Sequence, residues 1–383
     1  MGKSLNEIAY ELKDANHVTR ARAASVSDAK VQLIYAFNGT GKTRLSNEFK
    51  SLISPSMDND TEEQLEGFNR KYLYYNAFTE DLFYWDNDLI NDEKPKLKIH
   101  PNIFTKWVFE DYGQDQHVMD KFQHYTNGKL TPKFNDDFSE VSFSYERGND
   151  ENTENIKISK GEESSFIWSV FYSLFEEIIE ILNVAEPNDR TTNQFDNLEY
   201  VFIDDPVTSL DDNHLIRQAI DLAQLVKSSD SELKFIITTH NPLFYNVLHN
   251  ELRNNKYKKY FLDKNDFDEY ELKLQRSDSP FSYHLFLIKD IEKAIQDGTL
   301  KRYHFNYLRN VLEKTATFLG YSNWGELLPK QDDGRPNPYV TRIINLYSHS
   351  KYSADEVIEL KQDDKNMMGY IMREIIKGKY NFK

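Results

Sequence analysis

AFNGTGKT, residues 36–43, sits where the short apolar run VQLIYAF (31–37) gives way to a stretch with helical patterning (43–53). An apolar strand entering a glycine turn that opens a helix is the setting of the pattern G-x-x-x-x-G-K-[ST], with Ala36 in place of the first glycine. Gly39 and Gly41, beside Asn38, let backbone N–H groups turn into the loop. Lys42 supplies positive charge to β/γ-phosphates, and the Thr43 hydroxyl can ligate Mg²⁺. This reading sets the fold class as α/β, because such a loop needs a parallel sheet behind it.

Working outward, YVFID (200–204) and LKFIITT (233–239) are apolar and β-branched almost throughout, as strands buried on both faces tend to be. The first ends in Asp204-Asp205, which offers one carboxylate to Mg²⁺ and a second to orient an attacking water. The second ends in His240, within reach of a γ-phosphate in this reading. A buried strand with a polar exit is common by itself; three such exits in this order are not. Between the loop and these strands lies ISKGEES (158–164), which opens an apolar helix at 162–184.

Together the four segments resemble the ABC-type ATPase heads of the SMC and recombination-repair class. ISKGEE is similar to that class's signature, DDPVTSLDD to its Walker B and D-loop, and His240 to its switch histidine. The resemblance implies ATP or GTP bound with Mg²⁺, the metal held by Thr43 and Asp204. It also implies a dimer in which Ser159, Gly161 and Glu162 of one head complete the nucleotide site of another. Asp205 stands where the class usually carries a glutamate, and Asn76 in YYNAF takes the place of its Q-loop glutamine. Only 115 residues separate Thr43 from Ser159, too few for a long coiled-coil arm.

Composition narrows the remaining choices. Net charge is −16, which argues against a general nucleic-acid binder. Residues 1–250 carry 24 Lys and Arg against 43 Asp and Glu, whereas residues 251–383 carry 23 against 20. A polyanion is therefore expected on the C-terminal third or at backbone amides. The absence of cysteine removes disulfides, thiolate metal sites and Cys nucleophiles. No run of about 18 apolar residues exists, so no membrane span is expected, and the N-terminal MGKSLNEIAYELKDANHVTR lacks the apolar centre of a signal peptide, so the expected setting is the cytoplasm.

The C-terminal third is patterned as helices, HLFLIKDIEKAIQDG and YHFNYLRNVLEKTATFLG, followed by YVTRIINLYSHS. Arg309 and Glu313 have the i,i+4 spacing of a surface ion pair, worth about 0.2–0.5 kcal/mol. Thirty-five residues lie between Glu313 and His349. Arg, Glu and His also form a sufficient set for cutting RNA through its 2′-OH: a base for that proton, an acid for the leaving oxygen, and a cation for the phosphorane. On the residues alone, an ordinary ion pair and an unrelated histidine remain as open as a site.

The order LIYAFNGTGKTRLS, YYNAFTEDLFYWDND, SKGEES, VFIDDPVTSLDDNH, FIITTH, PFSYHL, RYHFNYLRNVLEKTATFLG and RIINLYSHS resembles the PrrC-type anticodon nucleases over nearly the whole chain. That resemblance implies a nucleotide-gated ribonuclease cutting tRNA, of the lysine type, on the 5′ side of the wobble base, with 2′,3′-cyclic phosphate and 5′-OH ends. It implies Arg309, Glu313 and His349 as the catalytic set, and Asp278, Ser282, Tyr283 and His284 as readers of the anticodon stem-loop. It further implies a homodimer or higher oligomer through the heads, a silencing type I restriction–modification complex, a role in phage defence, and a thymidine nucleotide (dTTP) that stabilises the active form. The expected organisation is an ABC-type P-loop ATPase head at 1–265 with an inserted α+β region at 54–157, then a mostly helical nuclease domain at 266–383, the boundary falling within 250–285. The alternative is an SMC-like defence or repair ATPase acting through a separate effector, which has no use for Arg309, Glu313 and His349.

Overall fold

The computed structural model describes residues 2–14, 29–54, 71–76, 82–86, 95–100, 103–126, 128–146, 152–153, 155–207, 210–253, 257–265, 268–275, 283–329, 338–348 and 360–382. Two compact units divide the chain, Met1–Pro280 and Phe281–Lys383.

The first unit runs α1 (Leu5–Asp14), β1 (Val31–Tyr35), α2 (Lys42–Ile53), β2 (Tyr72–Asn76), β3 (Phe83–Asp86), β4 (Lys96–Ile99), α3 (Ile103–Lys106), α4 (Asp115–Tyr125), β5 (Leu130–Phe134), β6 (Glu140–Glu146) and β7 (Asn152–Thr153). It continues with α5 (Lys160–Asn183), β8 (Tyr200–Asp204), α6 (Asp212–Ser228), β9 (Lys234–Thr239), α7 (Pro242–Leu252), β10 (Tyr257–Lys264) and β11 (Tyr270–Leu274). The main sheet has the order β11-β10-β1-β9-β8-β2. All its pairings are parallel except β10 with β11. β1 and β8 are buried at every position, which is why their sequences carry no polar alternation.

Register matters most for the site. Tyr35 pairs with Thr239, Asp204 with Thr238, and Asn76 with Asp204. Four adjacent strands thus end at one level, and the residues following them converge at the carboxyl edge, where open α/β sheets bind ligands. On one face α1 and α2 bury Leu5, Ile8, Leu45 and Phe49 against the sheet. A second, antiparallel sheet (β3-β4-β6-β5, with β7 on β6) packs against α5. Phe166 of α5 meets rings of Phe83, Phe122, Phe134 and Phe143, while Tyr75 of β2 meets Trp168 and Phe171. Covered from both directions, α5 is apolar nearly all round, as a buried helix must be.

The second unit holds α8 (Tyr283–Gln296), α9 (Tyr303–Leu319), α10 (Pro338–Ser348) and α11 (Gln362–Tyr370), which continues as a π-helix to Lys379. Its core joins Ile291 of α8, Leu308 and Leu312 of α9, Ile344 and Tyr347 of α10, and Met368 of α11.

The α/β head and the helical C-terminal part are as expected from the sequence; two boundaries differ. The division falls at 280/281, inside the expected 250–285 interval but after 265/266, because β11 pairs along its length with β10 and belongs to the main sheet. The insertion does not start at 54, because β2 is a main-sheet strand paired with β8.

Candidate functional site

The loop after β1 is held open by backbone geometry. Gly39 has φ +78° and Gly41 φ +102°, a region where a side chain is strained. A Cβ on Gly41 would meet Leu5 and Tyr270 at 3.4 Å, an ordinary contact, so the backbone angle is what calls for glycine. α2 then starts at Lys42 with its N-terminal amides facing the loop, an arrangement suited to an anion. The Lys42 amine is buried among acceptors: Asn38 Oδ1 at 3.3 Å, the carbonyl oxygens of Ala36 and Phe37 at 3.4 Å, and Asp205 Oδ2 at 3.3 Å.

Asp204 is fully engaged. Thr43 Oγ1 donates to its Oδ2 at 2.7 Å, Tyr74 OH at 3.1 Å and Asn76 Nδ2 at 3.4 Å, while Thr238 Oγ1 donates to Oδ1 at 2.5 Å. Burial pushes this carboxyl above its usual range, the adjacent Asp205 adds to that, and the hydroxyl donors oppose it. Tyr74 is pushed up to about 12 by burial and by Asp204.

Asp205 has φ +52°, and its N–H donates to Thr238 O at 2.9 Å. In an extended strand, consecutive side chains point to opposite faces. The left-handed turn breaks that alternation, so both carboxylates serve one site. Asp205 Oδ2 lies 2.5 Å from His240 Nδ1, and Oδ1 accepts from the His240 backbone N–H at 3.2 Å and from Thr239 Oγ1 at 3.3 Å. Burial raises the Asp205 carboxyl, but the His240 hydrogen bond and the Lys42 charge outweigh it and hold the group below its usual value. The paired oxygens of Thr43 and Asp204, hard donors beside a helix N-terminus, fit Mg²⁺. Among the described residues no three His, Asp or Glu side chains converge on a cation position.

Of the expected signature residues, Ser159 and Glu162 form a capping box on α5. Ser159 Oγ accepts from the Glu162 N–H at 3.3 Å, and Glu162 Oε2 accepts from the Ser159 N–H at 2.7 Å. Gly161 lies in the first turn. No hydrogen bond or ion pair links these three to Lys42, Thr43, Asp204, Asp205 or His240 among the described residues.

In the second unit, Arg309 Nε donates to Glu313 Oε1 at 2.7 Å on α9, and Arg309 NH1 donates to Asn345 Oδ1 of α10 at 3.3 Å. The guanidinium also lies over the Trp324 ring, 5.9 Å from its centroid. Arg309 and Glu313 are 23% and 45% exposed, so both are partly reached by solvent. His349, Asp278 and Ser282 lie outside the described residues, as does the side chain of Tyr283, which opens α8. His284 is half-buried, edge-on to Phe382 at 6.0 Å. Burial and the nearby Lys314 charge lower its pKa. Phe305 is core, its ring tilted against that of Tyr347 at 4.9 Å, whereas Tyr303 is exposed.

Sequence reasoning missed Tyr74 and Thr238 at the first cluster and Trp324 and Asn345 at the second. Tyr74 carried a usable signal, since it stands two residues before Asn76 on the same strand face. Asn345 carried none, being 36 residues from Arg309.

Comparison with known proteins adds to this geometry. Residues 117–377 match the AAA_13 family, described as an AAA domain. The chain is 55% identical over 372 residues to the anticodon nuclease of Escherichia coli, an alignment covering 94% of this chain and 92% of that protein. Among solved structures, the SMC head bound to the C-winged helix domain of ScpA covers 65% of this chain and 90% of its own at 11% identity and TM-score 0.33. The SMC head domain from Thermotoga maritima covers 65% and 91% at 12% identity and TM-score 0.29. The head assignment stands on the sheet order and the phosphate loop.

Proposed function

The chain belongs to the anticodon nuclease family, and from that premise we propose that it cuts tRNA in the anticodon loop under the control of its nucleotide-binding head. The nuclease is assigned to residues 281–383, which carry 16 Lys and Arg against 13 Asp and Glu, while the first 280 residues are strongly acidic. One observation carries the reading: Arg309 and Glu313, for which a nucleotide-binding head has no use, pair on one partly exposed helix face, and Arg309 is tied to α10, the helix that leads to His349.

In this reading the cut falls 5′ to the wobble base, and lysine tRNA is the expected substrate. A base among Glu313 and His349 removes the 2′-OH proton, the O2′–P bond forms, the P–O5′ bond breaks, and the other group returns a proton to O5′. The products are a 2′,3′-cyclic phosphate and a 5′-OH. Arg309 holds two phosphate oxygens and stabilises the charge that builds on them. A single-stranded loop suits this chemistry, since its 2′-OH and base edges are accessible. His284, with Tyr283, Ser282 and Asp278, is assigned to the loop's recognition.

At the head, ATP or GTP is placed with its phosphates on the Gly39–Thr43 loop and Lys42, and Thr43 with Asp204 would hold Mg²⁺. That ion would neutralise phosphate charge when bound. Asp205 and His240 stand together at the γ-phosphate end, and Ser159, Gly161 and Glu162 are assigned to the nucleotide of a second head, forming a dimer. Silencing by a type I restriction–modification complex, stabilisation by dTTP and a role in phage defence belong to the same reading.

The test is expression of wild type beside His349→Ala, with sequencing of cellular tRNA ends. A nick 5′ to a wobble base in wild type alone supports the proposal. Intact anticodon loops in wild type would sink it, in favour of an ATPase that works through a separate effector.

A further inference from the structure

We propose that Asn345 and Trp324 are positioning residues that fix the plane of the Arg309 guanidinium, an inference that rests on the nuclease reading above. Contacts from three elements converge on that group. Glu313 engages Nε from one turn along α9, Asn345 engages NH1 from α10, and the guanidinium lies over the Trp324 ring. An exposed i,i+4 pair alone would leave the long arginine side chain free to swing. A phosphate clamp needs the opposite, because bidentate contact works only with the guanidinium plane set correctly.

Both supporting residues are themselves anchored. Asn345 stands between Ile344, which is fully buried in the core, and Tyr347, whose OH donates to Asp364 Oδ2 at 2.7 Å. Trp324 opens a 3-10 turn (Trp324–Leu327) whose cap is closed by Asn323 and Glu326. The Asn323 N–H donates to Glu326 Oε1 at 3.2 Å, and Asn323 Nδ2 donates to the same oxygen at 2.9 Å. Supports locked by packing and by their own hydrogen bonds are what a precise site requires.

The chemistry of the supports is also selective. Asn345 accepts from Arg309 through a neutral amide oxygen, so it orients the cation without neutralising it. A second carboxylate at that place would compete with a phosphate for the same N–H groups. Trp324 likewise supports the charge through its ring face, over which the guanidinium carbon lies 5.9 Å from the centroid.

The experiment uses the full chain with tRNA and compares wild type, Asn345→Ala, Asn345→Asp, Trp324→Leu and Arg309→Lys, alone and combined. Asn345→Ala and Trp324→Leu are expected to slow single-turnover cleavage by about 10-fold or more, as a misplaced clamp does, with tRNA affinity and Tm nearly unchanged. Asn345→Asp, which preserves shape but adds charge, should lose more than Asn345→Ala. In the Arg309→Lys background Asn345→Ala should cost nothing further, since residues acting through one group are not additive. Equal losses with and without Arg309, or losses matched by a fall in Tm, would overturn the positioning role. If wild type leaves tRNA intact, the nuclease reading is what falls. The Arg309 Nε–H signal in a ¹⁵N spectrum then decides the positioning role by itself: broadening in Asn345→Ala supports it, and an unchanged signal overturns it.

Discussion

Thr238 has no exposed surface, and its hydroxyl is the donor to Asp204 Oδ1. Thr238→Val keeps the shape and removes that donor, leaving a buried carboxylate oxygen short of a partner. The expected cost is about 1–3 kcal/mol, read as a lower Tm or urea midpoint. His284 gives a pH-dependent counterpart. Its folded pKa lies below the ordinary histidine value of about 6.5, so the unfolded chain binds the proton first as pH falls. Stability tied to neutral His284 is therefore present above that value and lost as pH drops from it through the folded pKa. Melting wild type and His284→Gln at pH 7.5 and 5.5 checks this; the variant should show the smaller acid loss. At this scale the sequence was informative wherever a residue type is rarely used without reason. Gly39, Gly41, Lys42 and the Asp204-Asp205 pair were legible, whereas Thr238 was one more β-branched residue in a buried strand.

The elements read from sequence in proportion to how local their signals were. β1, β8 and β9 were legible because strands buried on both faces are apolar without interruption. α9 was legible from its i,i+3/i+4 pattern, and with it the Arg309–Glu313 spacing. β2 was not assigned to the main sheet, because its partner β8 lies more than a hundred residues away and YLYYN reads as any aromatic strand. The polar alternation of YELKL hid β11 for the same reason, which displaced the boundary. α5 offers a clean test of a local device. Ser159→Ala removes the side-chain half of its capping box and should destabilise the first unit by about 1 kcal/mol, measured by denaturant unfolding. If the same variant also weakens nucleotide-dependent dimerisation in analytical ultracentrifugation, the residue serves a second head as well as its own helix.

Taken whole, the chain couples an acidic nucleotide head to a small, mildly basic helical unit. None of its described helices is long and apolar enough to cross a membrane. Which groups meet across long separations, Thr43 with Asp204 or Arg309 with Asn345, is set by packing and could not be read from spacing. The start of the chain illustrates the same point with a practical result. Lys3 and Tyr270 exchange backbone hydrogen bonds of 2.9 and 2.7 Å, so residue 3 caps part of β11, the outermost strand of the main sheet. An outermost strand with bare N–H and C=O groups is a template on which another chain can add. Removing residues 1–4 would uncover that rim beside the half-exposed Leu274 while leaving the phosphate loop in place. The expected outcome is association that grows with protein concentration, seen by light scattering, with nucleotide affinity preserved; expression designs that trim or crowd this end would meet it first as poor solubility.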